Sequence, residues 1–192
     1  MYIHYKLKHQ YFKFMEAVKT IWNVDTSHSE VSFKVKHLVI ASVTGYFHNF
    51  KANIETDGDD LENAIISFEA DVDSISTNNK DRDNHLKSDD FFNVEKFPKL
   101  MFKGKSFKKT GDSEYKLLGD LTLRDVTKEV ELDVEGGQTI VDPWGNTRIG
   151  FEVNGKINRK DFNLRWDAMT EAGNAVVSDQ VKLNINIEFV KS

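Results

Sequence analysis

Two periods divide the chain. Ile3, Leu7, Tyr11, Phe14, Val18 and Ile21 recur at steps of three and four, the stripe of an amphipathic helix. From Ile21 onward the period falls to two. Val31, Phe33 and Val35 alternate with Ser32, Lys34 and Lys36, and Ile66, Phe68, Ala70 and Val72 alternate with Ser67, Glu69 and Asp71. Leu121 and Leu123, then Val130, Leu132 and Val134, continue the rhythm. Ile149, Phe151, Val153 and Ile157 follow, and Val181, Leu183, Ile185, Ile187 and Phe189 complete it. Strands with one apolar and one polar face belong to antiparallel sheets. Phe47 and Phe50 have opposite parity, and a bulge between them would turn both inward.

The punctuation agrees with strands. Thr110-Gly111-Asp112, Gly136-Gly137 and Asp142-Pro143-Trp144-Gly145-Asn146 read as turns, and Arg124-Asp125-Val126-Thr127 is a weaker turn signal. Asn78 to Lys96 breaks the rhythm. This polar stretch predicts a short helix with Asn78 as N-cap and Asp81 in its first turn. Asp90-Phe91-Phe92 would start a further helical turn, with the two rings pinning the excursion to the sheet. The expected fold is all-β: a closed or nearly closed antiparallel barrel of about eight strands, with a helical excursion around residues 78–96. Residues 21–192 form the barrel domain, and residues 1–20 precede it as an extension that reads as helical.

At 192 residues the chain fits one domain with a core or a small enclosed cavity. Fourteen Phe stand against only 2 Pro, and aromatic residues suit both strands and the walls of apolar pockets. There are no cysteines, which excludes disulfides, thiolate catalysis and Cys-ligated metals and is compatible with a reducing compartment. The net charge is −5; Lys6, Lys8, Lys13 and Lys19 against Glu16 give the first twenty residues +3 and leave the body −8. An acidic body argues against nucleic acid as a partner. No apolar run approaches the roughly 20 residues that span a bilayer, and the first residues carry scattered Lys and His rather than an apolar signal core. The expectation is a cytoplasmic protein. The basic stripe near the start reads either as a helix packed on the barrel, as an upstream start with Met15 the natural alternative, or as a membrane-surface helix. Its shortness and its tyrosines favour the first pair.

No catalytic constellation stands out. The six histidines, His4, His9, His28, His37, His48 and His85, have no pair at the i, i+2 or i, i+4 spacing of a compact metal site. Asp25, His28 and Ser29 lie close together but lack a nucleophile elbow or oxyanion loop. The glycines form no phosphate cradle. The expectation is no metal, no cofactor and no catalytic residue.

Spaced motifs carry more. Trp22-x-x-Asp25-x-x-His28-Ser29-x-Val31-x-Phe33-x-Val35-Lys36-His37, followed by Val43-x-Gly45-x-Phe47, resembles the opening of the YceI-like family. Asn79-x-x-Arg82-Asp83-x-His85-Leu86-x-Ser88-x-x-Phe91-Phe92, with Phe97-Pro98 and Phe102, is similar to its middle signature. Gly119-x-Leu121-Thr122-Leu123, Asp142 to Gly145 with Gly150-Phe151, and Ile157-Asn158-Arg159-x-Asp161-Phe162 match its last third. The resemblance runs from about Trp22 to Val190. Asn163 departs from it, standing where the family usually has Gly, and Arg165-Trp166 follows.

The resemblance implies a lipocalin-like barrel that binds a polyisoprenoid or similar amphiphile, a ligand class more than a job. The expectation built on it is non-enzymatic carriage, transport or storage of a long-chain lipid. The apolar tail would lie against Phe33, Val35, Phe47, Phe68, Ala70, Phe102, Leu121, Leu123, Phe151, Val153, Phe162, Leu183 and Ile185. Periodicity alone allows the same residues simply to fill a core. Arg82, His85 and Arg159 are candidates for a diphosphate or other polar head group, since guanidinium pairs bidentately with phosphate. Asp83 and Asp161 allow the other reading, a network fastening the excursion to the strand near Arg159. Two further functions remain open: an enzyme acting on an isoprenoid or acyl chain with His85, Asp83 or Asp161 as acid-base groups, and a stress-linked structural or interaction protein with a filled barrel. A homodimer is compatible with either.

Overall fold

The structure, a computed structural model, describes residues 19–192 except 59, 172 and 174, and omits the side chain of residue 63. The helical stripe that ends at Ile21 therefore lies almost wholly outside the described residues. Eleven strands follow in order: β1 (Lys19–Val24), β2 (Glu30–His37), β3 (Ala41–Phe47), β4 (Phe50–Asp57), β5 (Asp60–Asp71), β6 (Ile75–Ser76), β7 (Lys99–Lys109), β8 (Glu114–Leu123), β9 (Val126–Val141), β10 (Thr147–Asn158) and β11 (Val177–Lys191). All pairings are antiparallel, and the wall closes because β1 pairs with both β4 and β11.

The strands make eight staves. β1 and β2 are two halves of one stave, broken at a 3-10 turn over Thr26–His28, and β3 and β4 are halves of the next, broken at His48 and Asn49. β11 is long enough to pair with β2 through Val177–Asn186 and with β1 through Phe189–Lys191, so it spans the first break. At the second break the alternation shifts by one, and both Phe47 and Phe50 reach the core, as the parity argument requires. In β8 the alternation is unbroken: Tyr115, Leu117, Gly119, Leu121 and Leu123 are buried and their neighbours are not.

Two local expectations are corrected. Gly136 and Gly137 lie inside β9 rather than at a turn. Their φ values of 124° and 86° serve a bulge opposite Gly150, where the β9–β10 register slips between Ile149 and Phe151. A Cβ on Gly136 would sit 2.3 Å from the Gly150 carbonyl oxygen, so the close backbone approach requires glycine. The reversal itself comes at Asp142–Asn146, as expected. The second correction concerns the excursion. The helix α1 (Lys80–Lys87) is capped by Asn79, whose side chain accepts from the Arg82 amide, and not by Asn78. Asn78 holds a left-handed φ of 61°, outside the helix. Residues 89–96 then form turns rather than a second helix. Arg124-Asp125 is a two-residue turn between β8 and β9, with Arg124 at φ 53°.

The broken first stave is held from outside by Arg148. Its guanidinium bonds Asp25 at 2.7 Å and Asp142 at 2.6 Å, and it also meets Glu188. The Ser29 hydroxyl completes the splice, donating to the Asp25 carbonyl and accepting from the Glu188 amide. Hydrogen bonds from Ser27, Arg148 and His28 hold the Asp25 carboxyl far below the ordinary value of 3.8. Burial opposes the Asp142 charge, yet Arg148 and Asn146 hold that carboxyl low too. A carboxyl with a depressed folded pKa stabilises fully above its unfolded value, and that contribution is lost as the pH falls toward the folded value. Thermal melts should therefore fall off below about pH 4. Arg148→Ala should lower the Tm at pH 7 by leaving three carboxylates together. Its deficit against wild type should shrink as the pH is lowered past that point; a deficit constant from pH 7 to pH 3 would show that these charges do not hold the splice.

Candidate ligand cavity

The inner face of the barrel encloses a cavity of about 210 Å³ with an almost wholly apolar lining. Several inward-facing side chains, among them Phe33, Val35, Ile66, Phe68, Leu183 and Ile185, are only half-buried although they face the interior. On the opposite wall Leu117, Leu121 and Leu132 are buried. An eight-stranded barrel is wide enough for side chains to fill it or to hold one small ligand. In this one the side chains do not meet across the middle.

One end is shut by aromatic rings. Phe107 stacks on Tyr115 at 4.6 Å, Phe151 meets Phe107 edge-on at 6.1 Å, and Phe189 meets Phe151 at 6.3 Å. Trp22 is 2% exposed in the same core. The other end is covered by the 72–98 excursion, which puts Leu86, Phe91 and Phe92 on the cavity lining. Phe92 meets Phe47 edge-on at 6.1 Å.

Most of the tail residues expected from the sequence do line the cavity: Phe33, Val35, Phe47, Phe68, Phe102, Leu121, Leu123, Phe151, Val153, Leu183 and Ile185. Ala70 and Phe162 are buried but not on the lining. Ala70 sits at the end of β5, opposite Phe50, and Phe162 belongs to the 3-10 turn Arg159–Phe162 beyond β10. The bulky Phe33 is accommodated by its cross-strand partner Gly45, where a Cβ would lie 2.3 Å from the ring.

The three head-group candidates have different surroundings. Arg159 lines the cavity yet is 3% exposed, and its N–H groups are spent on protein. Nε donates to the Ser178 carbonyl at 3.1 Å and Nη1 to the Leu164 and Trp166 carbonyls at 2.7 Å each. Nη2 donates to the Val177 carbonyl at 3.5 Å and to Asp179 at 3.1 Å. Its acidic partner is thus Asp179 and not Asp161. Arg82 turns back on Thr77, donating to its hydroxyl at 2.7 Å and its carbonyl at 2.8 Å. Asp83 accepts from the same residue, from its amide at 2.7 Å and from its hydroxyl. His85 lies edge-on to Phe91 at 5.1 Å and to Trp166 at 5.3 Å, and its Nε2 is 2.9 Å from Asp90. Arg82 and His85 are neighbours at i, i+3 on α1, and His85 and Arg159 share Trp166, whose ring meets one and whose carbonyl meets the other.

Arg124 escaped sequence reading because it looks like a turn residue. Its Nη1 donates to the carbonyls of Asp89, Phe91 and Asn163, at 3.2, 2.8 and 3.1 Å, and its guanidinium lies 5.5 Å from the centre of the Phe97 ring. One side chain thus ties the β8–β9 turn to the excursion and to the loop after β10. Asn163 itself adopts a left-handed φ of 61°, a conformation Asn tolerates, so this position accepts Asn in place of glycine.

Among the described residues, one cluster could present ligand atoms to a metal: Asp25, His28 and Glu188, within 4.8 Å of one another. Arg148 already bonds both carboxylates, so the place of a cation is taken by guanidinium. Ser29 bonds backbone. The Ser27 hydroxyl lies 3.2 Å from His28 Nδ1, and both groups meet the Asp25 carboxylate that also holds Arg148. No helix among the described residues is long and apolar enough to cross a membrane.

A family model described as YceI-like domain matches residues 22–189. A UPF0312 protein of Staphylococcus epidermidis is 34% identical over 171 residues, covering 88% of this chain and 97% of that one. Among solved structures, the Campylobacter jejuni YCEI protein superposes with a TM-score of 0.70 at 34% identity, over 82% of this chain and 90% of that one. A polyisoprenoid binding domain from Saccharophagus degradans superposes with a TM-score of 0.65 at 16% identity, over 89% and 98% of the two chains, and shares the fold.

Proposed function

The chain belongs to the family of YceI-like domains, and on that premise we propose that it binds one long apolar lipid of the polyisoprenoid type inside the barrel and releases it unchanged. The observation that carries this is the gap between the walls: inward side chains that keep accessible surface inside a closed barrel. A filled barrel would bury them. The polyisoprenoid binding domain that shares this barrel supports the same class of cargo. The almost wholly apolar lining of this cavity of about 210 Å³ suits a hydrocarbon chain rather than a polar ligand. Each five-carbon unit buried contributes at most about 3–4 kcal/mol, of which ordering the chain takes back part.

Catalysis finds no support in the side chains nearest the cavity mouth. Asp83 is engaged by the Thr77 amide and hydroxyl, that hydroxyl in turn accepts from Arg82, and His85 is paired with Asp90. A role in transport or storage follows from binding without turnover, and the lack of cysteine is compatible with a cytoplasmic setting.

The test is native mass spectrometry of the purified protein, followed by lipid extraction and titration with prenols of increasing length. Affinity should rise with chain length and then level off once the cavity is full. The recovered prenol should be chemically unchanged. Affinity independent of chain length would refute the reading, and a converted ligand would favour the enzymatic alternative.

A further inference from the structure

The hairpin between β2 and β3 combines exposed aliphatic side chains with a strained backbone. Leu38, Val39 and Ile40 form its tip and are 37%, 67% and 86% exposed. Leu38 and Val39 also hold left-handed backbones, with φ of 51° and 67°. That conformation is a genuine outlier for a β-branched residue, and Asn or Gly would adopt it without strain. Strain kept at an exposed aliphatic tip points to a use outside the fold.

The surroundings say what kind of use. The tip stands at the end of the barrel where the cavity is covered, not at the end closed by aromatic rings. The Leu38 amide donates to the Val176 carbonyl at 2.9 Å, and Val177, next in the chain, lines the cavity. The Val176 amide donates to Ala168, beside Met169, which is 64% exposed and bridged to Ala175. From Leu38 to Phe47 there is no Asp, Glu, Lys or Arg, in a chain that is 30% charged. A protein hot spot is rich in Trp, Tyr and Arg and needs a broad patch. This tip is narrow, aliphatic and uncharged, so it can enter hydrocarbon without desolvating an ion.

We propose that the Leu38–Ile40 tip is the face by which the barrel docks on a lipid bilayer, inserting its side chains beside the cavity mouth. The proposal rests on the lipid-holding reading, because a water-insoluble cargo must be met in a membrane. Docking of this kind depends on apolar insertion and hardly on salt.

The test uses the full chain and sedimentation with vesicles of zwitterionic phosphatidylcholine. Wild type should bind them with little change between low and high salt. Val39→Asn combined with Ile40→Ser should weaken binding by about tenfold or more, since two exposed aliphatic side chains are lost. Neither residue lines the cavity, so prenol affinity in solution should be unchanged, and the Tm should hold or rise as strain is relieved. A control, Trp144→Ser, removes an 81% exposed ring from the opposite end of the barrel and should leave vesicle binding intact. Equal binding by wild type and the double variant would overturn the proposal, as would binding that salt abolishes or that only the Trp144 variant loses. A concentration-dependent dimer that the double variant abolishes, with no vesicle binding, would make the tip an interface between copies instead. Loss of vesicle binding in the double variant, with no prenol bound by either protein, would uphold the docking face and refute the cargo reading.

Discussion

Arg159→Ala should destabilise the fold by about 3–5 kcal/mol, the usual cost of removing one partner from a buried charged network. Four carbonyls and Asp179 lose their donor together, and the segment between β10 and β11 loses its anchor. A urea titration would read this as a lower midpoint with a similar slope. Arg159→Lys should recover only a fraction, because an ammonium has three donors and no planar fork. The same variants address the head group. Since all five N–H groups of Arg159 face protein acceptors, prenols and prenyl diphosphates should lose affinity equally. A loss confined to diphosphates would mean that the guanidinium does reach the cargo.

The second large effect is expected from filling the cavity. Val153 and Ile185 face each other across β10 and β11, and both line the empty space. Val153→Phe with Ile185→Phe should reduce prenol affinity by at least about tenfold, since even two displaced methylenes are worth more than that factor. Overpacking a full core costs about 1–3 kcal/mol per site, but rings placed in an existing void should cost less. Isothermal titration with a prenol, set beside a thermal melt, separates the two. Unchanged affinity with a normal melt would place the lipid elsewhere. A collapse of stability would mean that the walls already touch.

The wall of the barrel was legible because period two states which side chains turn inward. Phe33, Val35, Leu183 and Ile185 needed no more than that. Period two does not state how far along the axis an inward residue lies, which is why Ala70 was grouped with the cavity although it sits beyond its lining. Phe162 entered from a family motif, and its 3-10 turn places it beyond the lining too. Gly136-Gly137 read as a turn because a bulge and a turn make the same demand on φ, and only the approach of Gly150 distinguishes them. Arg124 and Arg148 were missed for a different reason. Apart from Asp142, across one turn from Arg148, their carboxylate partners lie far away in sequence, Asp89 at 35 residues, Glu188 at 40 and Asp25 at 123, and no local pattern records such a bond. The family motifs did mark Arg82, His85 and Arg159, but residue type alone could not separate a cargo contact from a fastener whose donors are already spent.

The ring floor of Phe107, Tyr115, Phe151 and Phe189 makes the barrel a test tube rather than a pipe. A chain that enters tail first cannot pass through; it must back out head first along the same track. Loading and unloading are then one movement run in two directions, at one door. The donor and the acceptor of the cargo would have to take turns at the same rim, and what decides the direction is which of them offers the chain the better solvent.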